Sequence, residues 1–228
     1  MTEILGLRGD TVWTAFIQRP PTSVILEYIA AKWFEYAEKF SGLGEPLAQR
    51  SEPVLTEGLY AFLAEEAEAG RQPFDGDFLA ERKRYDLQKV DGRAVCTGRT
   101  DIEWLLYGFP AFIVEFKLLG GGRYASKYVM EGLSRFVDGR YGAKSSEGAM
   151  CALIRPDATQ DHTHVIAELM AHSTELKCVG FGEELACVPS KIAPTVAQFD
   201  SAHDRAPAHP AIQLAHMFLA IPDRAPAP

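Results

Sequence analysis

Residues 111–118 read AFIVEFKL, and this stretch decides the fold that the sequence predicts. In an extended strand, alternate side chains point to opposite faces. Ile113, Glu115 and Lys117 therefore share one face. The other face carries only apolar side chains, those of Phe112, Val114, Phe116 and Leu118. A carboxylate and an amine thus project side by side from an otherwise apolar strand, where burying either group without a partner is costly.

A second predicted strand, residues 99–106, brings a third charged group to the same place. The turn at residues 107–110, Tyr-Gly-Phe-Pro, suits a hairpin centred on Gly108. In such a hairpin Asp101 lies opposite Glu115, because the two positions are equidistant from the centre. Two neighbouring carboxylates repel each other unless one is protonated or a cation lies between them. Oxygen ligands without cysteine or histidine favour Mg²⁺ or Mn²⁺ over zinc.

Further elements are predicted on both sides of this hairpin. The predicted helices are residues 24–40, 53–69, 126–137 and 161–173. The predicted strands are residues 11–17, 78–88, 99–106, 110–119, 148–155, 178–181 and 185–188. This order predicts an α/β fold, with a hairpin-rich mixed sheet flanked by helices.

Asp101 followed by Glu115-Phe116-Lys117 resembles the motif of the PD-(D/E)xK nuclease superfamily. The similarity extends over residues 53–155, although Thr100 stands where the motif usually has a proline. The resemblance implies a restriction-endonuclease-like mixed sheet and Mg²⁺- or Mn²⁺-dependent hydrolysis of phosphodiester bonds. It also implies that Asp101, Glu115 and Lys117 are catalytic, with the two carboxylates as metal ligands.

The predicted helix before the hairpin carries Glu57, which matches the place where such nucleases often add a further metal ligand. The alternative for Glu57 is a solvated position, or a charge that favours the helix dipole. For the hairpin itself, the alternative is an ordinary surface hairpin whose charged groups form salt bridges on one solvated face.

The predicted helix at residues 126–137 supplies candidate substrate-binding residues. Helical spacing places Tyr128 and Arg135 on one side of it. If that side faces the site, Arg135 contacts a phosphate and Tyr128 packs on a sugar or base. Lys127 is a further candidate for a backbone contact. The alternatives are a structural salt bridge for Arg135 and simple packing for Tyr128.

Three other features allow more than one interpretation. The basic run at residues 81–86, ERKRYD, is either an exposed strand edge or a nucleic-acid contact. His203 and Arg205 fall in a C-terminal segment with an expected structural role, although they could reach the site. The histidine spacing suits no standard zinc site, and the four cysteines are expected to be buried free thiols.

The composition indicates a globular protein of 228 residues with 47% hydrophobic residues. The sequence contains no signal peptide and no apolar run long enough to span a membrane, so a cytoplasmic protein without membrane contact is expected. Its net charge of −8 argues against binding nucleic acid by bulk electrostatics. An acidic nuclease is therefore expected to act with a protein partner or as a homo-oligomer.

The expected organisation has four parts. They are an N-terminal strand and helix packed on the core (1–48), a nuclease core (49–190), a C-terminal docking segment (191–222) and a disordered tail (223–228). DNA rather than RNA is the expected substrate, in a prokaryotic defence or restriction system. The alternative function is a non-catalytic restriction-endonuclease-like subunit that acts as a binding or assembly partner.

Overall fold

The computed structural model describes residues 18–41, 43–80, 83–87, 94–120, 124–179, 189–205 and 207–223, with only the backbone described in 83–87 and 94–99. The expected strands at 11–17 and 185–188 lie outside the described residues, as does the tail after Asp223. Among the helices that are described, none combines the length and the apolar character needed to cross a bilayer.

Helices account for four elements of the described chain. They are α1 (Thr22–Phe40), α2 (Glu52–Glu68), α3 and α4 (His162–Ala171), and a short 3₁₀ turn, Leu47–Gln49, lies between α1 and α2. Helix α3 comprises an α-helical turn (Ala125–Lys127), a π-helical segment (Tyr128–Leu133) and a second α-helical turn (Ser134–Val137). Prolines lie where helices begin: Pro21 is the N-cap of α1, and Pro53 is in the first turn of α2, where its missing N–H costs nothing.

Eight strands are described, in two sheets. They are β1 (Asp77–Ala80), β2 (Lys83–Leu87), β3 (Ala94–Arg99), β4 (Ile102–Leu105), β5 (Phe112–Leu119), β6 (Glu147–Ile154), β7 (Ala197–His203) and β8 (Ile212–Ala220). Six of them form a mixed sheet in the order β1-β4-β5-β6-β8-β7, and β2 and β3 form a separate antiparallel pair. Strand β5 is antiparallel to β4 and parallel to β6, and β6 is parallel to β8. The chain is therefore a mixed α/β protein with a six-stranded mixed sheet flanked by helices.

Both faces of β5 are buried, and the predicted alternation of its side chains is confirmed. The even-numbered apolar residues of β5 pack in one core cluster with helices α1 and α2. Ile113 and Leu119 belong to a second cluster, with helices α3 and α4. Glu115 and Lys117 therefore project towards α3, from a strand with protein on both sides.

Several predicted boundaries differ from the structure. The strand expected at 78–88 is divided between β1 and β2, which belong to different sheets. The strand expected at 99–106 is divided at Thr100 and Asp101, between β3 and β4. Residues 191–222, expected as a docking segment, contain β7 and β8, and β8 pairs with the central strand β6. An apolar run without glycine or proline, such as residues 211–219, suits a strand buried on both faces as well as it suits a docking segment. The long-range pairing with β6 decides between the two.

Candidate functional site

The site is built on the β4–β5 hairpin, whose register is the one that the turn at Gly108 predicts. Ile102 pairs with Val114 and Trp104 pairs with Phe112. The same register places Asp101 opposite Glu115, immediately before the first paired residue of β4. Asp101 is half-buried.

Beyond the residues that pair with β4, backbone N–H groups at the edge of β5 donate to acidic side chains. The amide of Phe116 donates to Asp101 Oδ2 over 2.7 Å. The amide of Leu118 donates to Glu52 Oε2, also over 2.7 Å. Glu52 is the first residue of α2, so this contact fastens the start of the helix to the strand. Buried backbone N–H groups need acceptors, and the two carboxylates provide them.

Glu115 is fully buried and receives two cationic donors on one oxygen. Lys117 Nζ lies 2.6 Å from Glu115 Oε1, and Arg135 Nη1 lies 2.7 Å from the same atom. The other oxygen, Oε2, is buried and has no hydrogen-bond partner among the described residues. A buried acceptor without a partner carries a desolvation cost, which a further donor or a cation at Oε2 would offset.

Lys117 is held from several sides. Its Nζ donates to the carbonyl oxygen of Phe116 over 2.8 Å and lies 3.4 Å from Glu52 Oε1. Its aliphatic chain lies against Gly132 of the π-helical segment, where a Cβ would be 3.3 Å from Lys117 Cε and 2.6 Å from Met150 Cε. The glycine therefore allows α3 to approach the strand closely enough to enclose the lysine.

Arg135 joins the site to the loop that follows α3. Its Nη1 also donates to the hydroxyl of Tyr141 over 2.9 Å, and its side chain is 32% exposed. The only described partners of its guanidinium are Glu115 and Tyr141, both through Nη1. The remaining N–H groups of Arg135 are therefore available at the solvent side of the cluster.

The charged groups of this cluster shift one another's pKa values. Burial, and then the neighbouring Glu115 carboxylate, raise the pKa of Asp101 to about 8. Burial alone would lower the pKa of Lys117, but the carboxylates of Glu115, Asp101 and Glu52 outweigh it and raise that pKa above its usual value. At neutral pH, with no added cation, Asp101 is protonated and Lys117 is charged.

Not every residue expected at the site is found there. Glu57 is exposed, and it lies about 140° around the helix from Glu52, since five residues advance an α-helix by that angle beyond one turn. The acidic residue that α2 contributes to the cluster is Glu52, which sequence analysis missed because it lies at the helix boundary. Tyr128 is fully buried and bonded to His216, so it cannot pack on a substrate, and Lys127 is exposed. Arg135 is brought into the cluster, where it contacts Glu115.

Two further residues considered from the sequence are structural. His203 is completely buried, and Arg205 is almost completely buried. The Arg205 guanidinium donates to backbone carbonyl oxygens, those of Phe136, Tyr141, Gly142, Ser145 and Pro210. Arg205 therefore fixes the loop that carries Tyr141. Of the expected free thiols, Cys151 is buried and Cys178 is half-buried, and both are unpaired.

The donor set defines which metal the site would accept. Within the described part of the chain, no three His, Cys, Asp or Glu side chains converge as a metal cluster. Asp101 and Glu115 offer two carboxylates, one with a buried unpartnered oxygen. Mg²⁺ is commonly held by one or two carboxylates, with water and substrate oxygens completing its shell. The residues fit such an open site and do not fit a closed structural zinc site.

Comparison with known protein families, curated proteins and solved structures gives no significant match to this chain.

Proposed function

We propose that this chain is a Mg²⁺- or Mn²⁺-dependent nuclease of restriction-endonuclease-like type that hydrolyses phosphodiester bonds. The observation that carries the proposal is the arrangement around Glu115. Its buried Oε2 lacks a partner, and its other oxygen lies 2.6 Å from Lys117 Nζ. Asp101 lies opposite it across the hairpin, and burial, followed by the Glu115 carboxylate, raises the pKa of Asp101 to about 8. Two carboxylates and an amine in this order are the groups of the PD-(D/E)xK motif that Asp101, Glu115 and Lys117 resemble.

Asp101 and Glu115 are the residues that would hold the metal. The pKa of Asp101 is raised to about 8 by burial and by Glu115, so a cation that binds to Asp101 at neutral pH would displace a proton. When bound, Mg²⁺ polarises a phosphate oxygen and lowers the pKa of a coordinated water. Glu52, whose Oε2 accepts from Leu118, lies on the other side of Lys117 and adds negative charge to the cluster.

Lys117 and Arg135 provide positive charge on the same face. The three N–H groups of the Lys117 ammonium point at three oxygen atoms, so its positive charge is held beside the carboxylates, where it would stabilise negative charge on a phosphorane. Arg135 directs its uncommitted N–H groups to solvent beside the carboxylates, where a phosphate of the substrate can accept from them. Lys117 would thus act at the reacting centre, and Arg135 would contact the phosphate backbone of the substrate.

The order of the central elements agrees with the proposed fold type. An antiparallel hairpin (β4–β5) is followed by a helix (α3) and by a strand, β6, parallel to β5. We propose DNA as the substrate, in a prokaryotic defence or restriction setting, by analogy with proteins that carry this motif. The net charge of −8 supports a protein partner or homo-oligomer that brings the site to its polyanionic substrate.

One observation favours a second candidate function, a non-catalytic subunit that serves as a binding or assembly partner. Glu115 Oε1 already holds both Lys117 and Arg135. Such a cluster is also a self-sufficient structural ion-pair network. The two functions differ in their response to divalent cations.

The test is cleavage of plasmid DNA and of a structured RNA by the purified chain, with Mg²⁺, Mn²⁺ or EDTA. Asp101→Asn and Lys117→Met remove one group each with little change in volume, and Glu57→Gln is the matched control on an exposed carboxylate. We expect metal-dependent cutting by wild type and Glu57→Gln, and a loss of at least about a hundredfold in the other two. Cutting that survives Asp101→Asn and Lys117→Met would reject the site. No cutting together with no cation binding would favour the non-catalytic subunit.

A further inference from the structure

A chain of buried polar side chains crosses the second core cluster, away from the carboxylates. Tyr128 Oη lies 3.0 Å from His216 Nδ1, and His216 Nε2 lies 2.8 Å from Ser201 Oγ. Ser201 Oγ lies 2.7 Å from His203 Nε2, and His203 Nδ1 lies 2.9 Å from the carbonyl oxygen of Leu176. All four side chains are 2% exposed or less. This chain joins helix α3, strand β8, strand β7 and the turn after α4.

The end of the chain fixes the direction of every bond in it. The Leu176 carbonyl can only accept, so His203 Nδ1 carries a proton. In a neutral imidazole His203 Nε2 is then an acceptor, and the hydroxyl of Ser201 must donate to it. A serine hydroxyl has one proton, so Ser201 accepts from His216 Nε2–H. His216 Nδ1 is therefore an acceptor, and Tyr128 donates to it.

One added proton destroys this order. With His203 doubly protonated, Nε2 donates to Ser201, and one hydroxyl proton of the chain loses its acceptor. If Ser201 accepts from both imidazoles, its own proton has no described acceptor. If Ser201 instead donates to His216 Nε2, His216 carries its proton on Nδ1, and the Tyr128 proton has none, because His216 is the only described hydrogen-bond partner of Tyr128. Direct protonation of His216 has the same result. Either event also places a charge in a site that has no water-exposed surface.

We infer that Tyr128, His216, Ser201 and His203 form one directed hydrogen-bond chain that fastens helix α3 to strands β7 and β8 while both imidazoles are neutral, and that acid releases it. This inference goes beyond the proposed nuclease function and does not depend on it. The consequence for the molecule lies in α3, which carries Gly132 against Lys117 and Arg135 against Glu115. Once acid has broken the hydrogen-bond chain, α3 no longer holds those two contacts in place.

The surroundings of the imidazoles favour the neutral state. The titratable groups that face them are Tyr128 from α3, Cys178 from the turn after α4, and each other. Phe199 stacks on the His216 ring with centroids 4.2 Å apart. Among the described residues no carboxylate, lysine or arginine bonds to either ring. Burial lowers the pKa of His203 to about 4, and burial together with His203 lowers the pKa of His216 well below its usual value.

The tautomers can be read directly from the wild-type chain. Long-range ¹H–¹⁵N spectra at pH 7.5, assigned with His203→Gln and His216→Gln, should show His203 protonated on Nδ1 and His216 protonated on Nε2. The opposite tautomer for either residue would overturn the directed chain. So would an imidazole that titrates near the unperturbed value of about 6.5 in a protein that stays folded.

The release is tested by hydrogen exchange of residues 128–137, expressed as protection relative to the intrinsic rate at each pH. Tyr128→Phe keeps the ring and removes the donor. Tyr28→Phe is the matched control, because the buried Tyr28 hydroxyl has no hydrogen-bond partner among the described residues. At pH 7.5 we expect about tenfold lower protection in Tyr128→Phe and no change in Tyr28→Phe. At pH 2.5, well below the His203 pKa of about 4, wild type and Tyr128→Phe should be equally protected, and a difference that persists there would overturn the release.

Discussion

The carboxylate of Glu52 accepts a hydrogen bond from the amide of Leu118 over 2.7 Å, which fastens the first residue of helix α2 to the edge of strand β5. The same side chain lies 3.4 Å from Lys117 Nζ through its other oxygen. One residue thus serves both the fold and the charge cluster, and its two roles can be separated by substitution.

Glu52→Ala should lower the free energy of unfolding by about 1–3 kcal/mol, since it leaves a backbone donor without its acceptor. Glu52→Gln keeps a carbonyl oxygen that can accept from the Leu118 amide, so it should lower the free energy of unfolding by clearly less. Glu57→Ala, at an exposed position on the same helix, should stay within about 0.5 kcal/mol of wild type. Urea denaturation of the three variants measures this. Equal losses for Glu52→Ala and Glu57→Ala would show that the Leu118 contact does not stabilise the fold.

Asp101 should make stability fall as pH rises. Burial and Glu115 raise its pKa to about 8, well above the unfolded value. The folded state therefore holds a proton that the unfolded state has lost, and the resulting stabilisation, complete below about pH 4, disappears as pH rises through 8. In Asp101→Asn this decline is absent, so the difference between variant and wild type should increasingly favour the variant between pH 5 and 8.5. Denaturation in EDTA across that range measures it, and a difference independent of pH would contradict the raised pKa.

Arg135 should stabilise the protein through Glu115. Arg135→Met leaves Lys117 as the only cation on the Glu115 carboxylate among the described residues, and we expect the free energy of unfolding to fall by about 2 kcal/mol. Arg140→Met is the control, because Arg140 pairs with Asp138 at an exposed site, where such pairs contribute about 0–1 kcal/mol. Thermal and chemical unfolding compare the two. If Arg135→Met lowers the free energy of unfolding by no more than Arg140→Met does, the Arg135–Glu115 contact is unimportant for the fold.

Gly132→Ala should disturb Lys117 more than it disturbs the core. The added methyl group would lie 2.6 Å from the flexible end of Met150 and 3.3 Å from Lys117 Cε. The methionine can move aside, so we expect a loss of stability of about 1–3 kcal/mol. Metal-dependent cleavage, if present, should fall further than this loss of stability explains. Met150→Ala removes the first clash but costs about 2–5 kcal/mol by itself, since Met150 is fully buried. A double-mutant cycle allows for that cost: if Gly132→Ala destabilises the Met150→Ala background less than wild type but still lowers cleavage, the effect lies at Lys117.

The hairpin could be predicted because its information is local. The turn at Gly108 sets the register, and strict alternation assigns Glu115 and Lys117 to one face. Glu52 could not be found in the same way. The predicted helix began at residue 53, and a shift of one residue at a helix end decides whether an acidic group is counted on the helix at all. The proline at position 53 was the available signal, because proline in the first turn places the preceding residue at the helix start.

The roles of Tyr128 and of the C-terminal strands could not be predicted for a different reason. Helical spacing predicts Tyr128 and Arg135 on one side of the helix, but periodicity does not state what lies opposite. The partner of Tyr128 is His216, 88 residues later, on a strand that the sequence favoured as a docking segment. Pairings over such separations depend on the whole sheet.

The most direct test of the proposed site is the binding of Mn²⁺, measured by titration with electron paramagnetic resonance on wild type, Asp101→Asn and Glu57→Gln. We expect one ion per chain in wild type and Glu57→Gln, and none in Asp101→Asn. Because the ion displaces a proton from Asp101, its apparent Kd should fall about tenfold per pH unit between pH 6 and 8. Mn²⁺ that binds Asp101→Asn as tightly as wild type, or that binds neither protein, would contradict the metal site and the nuclease function with it.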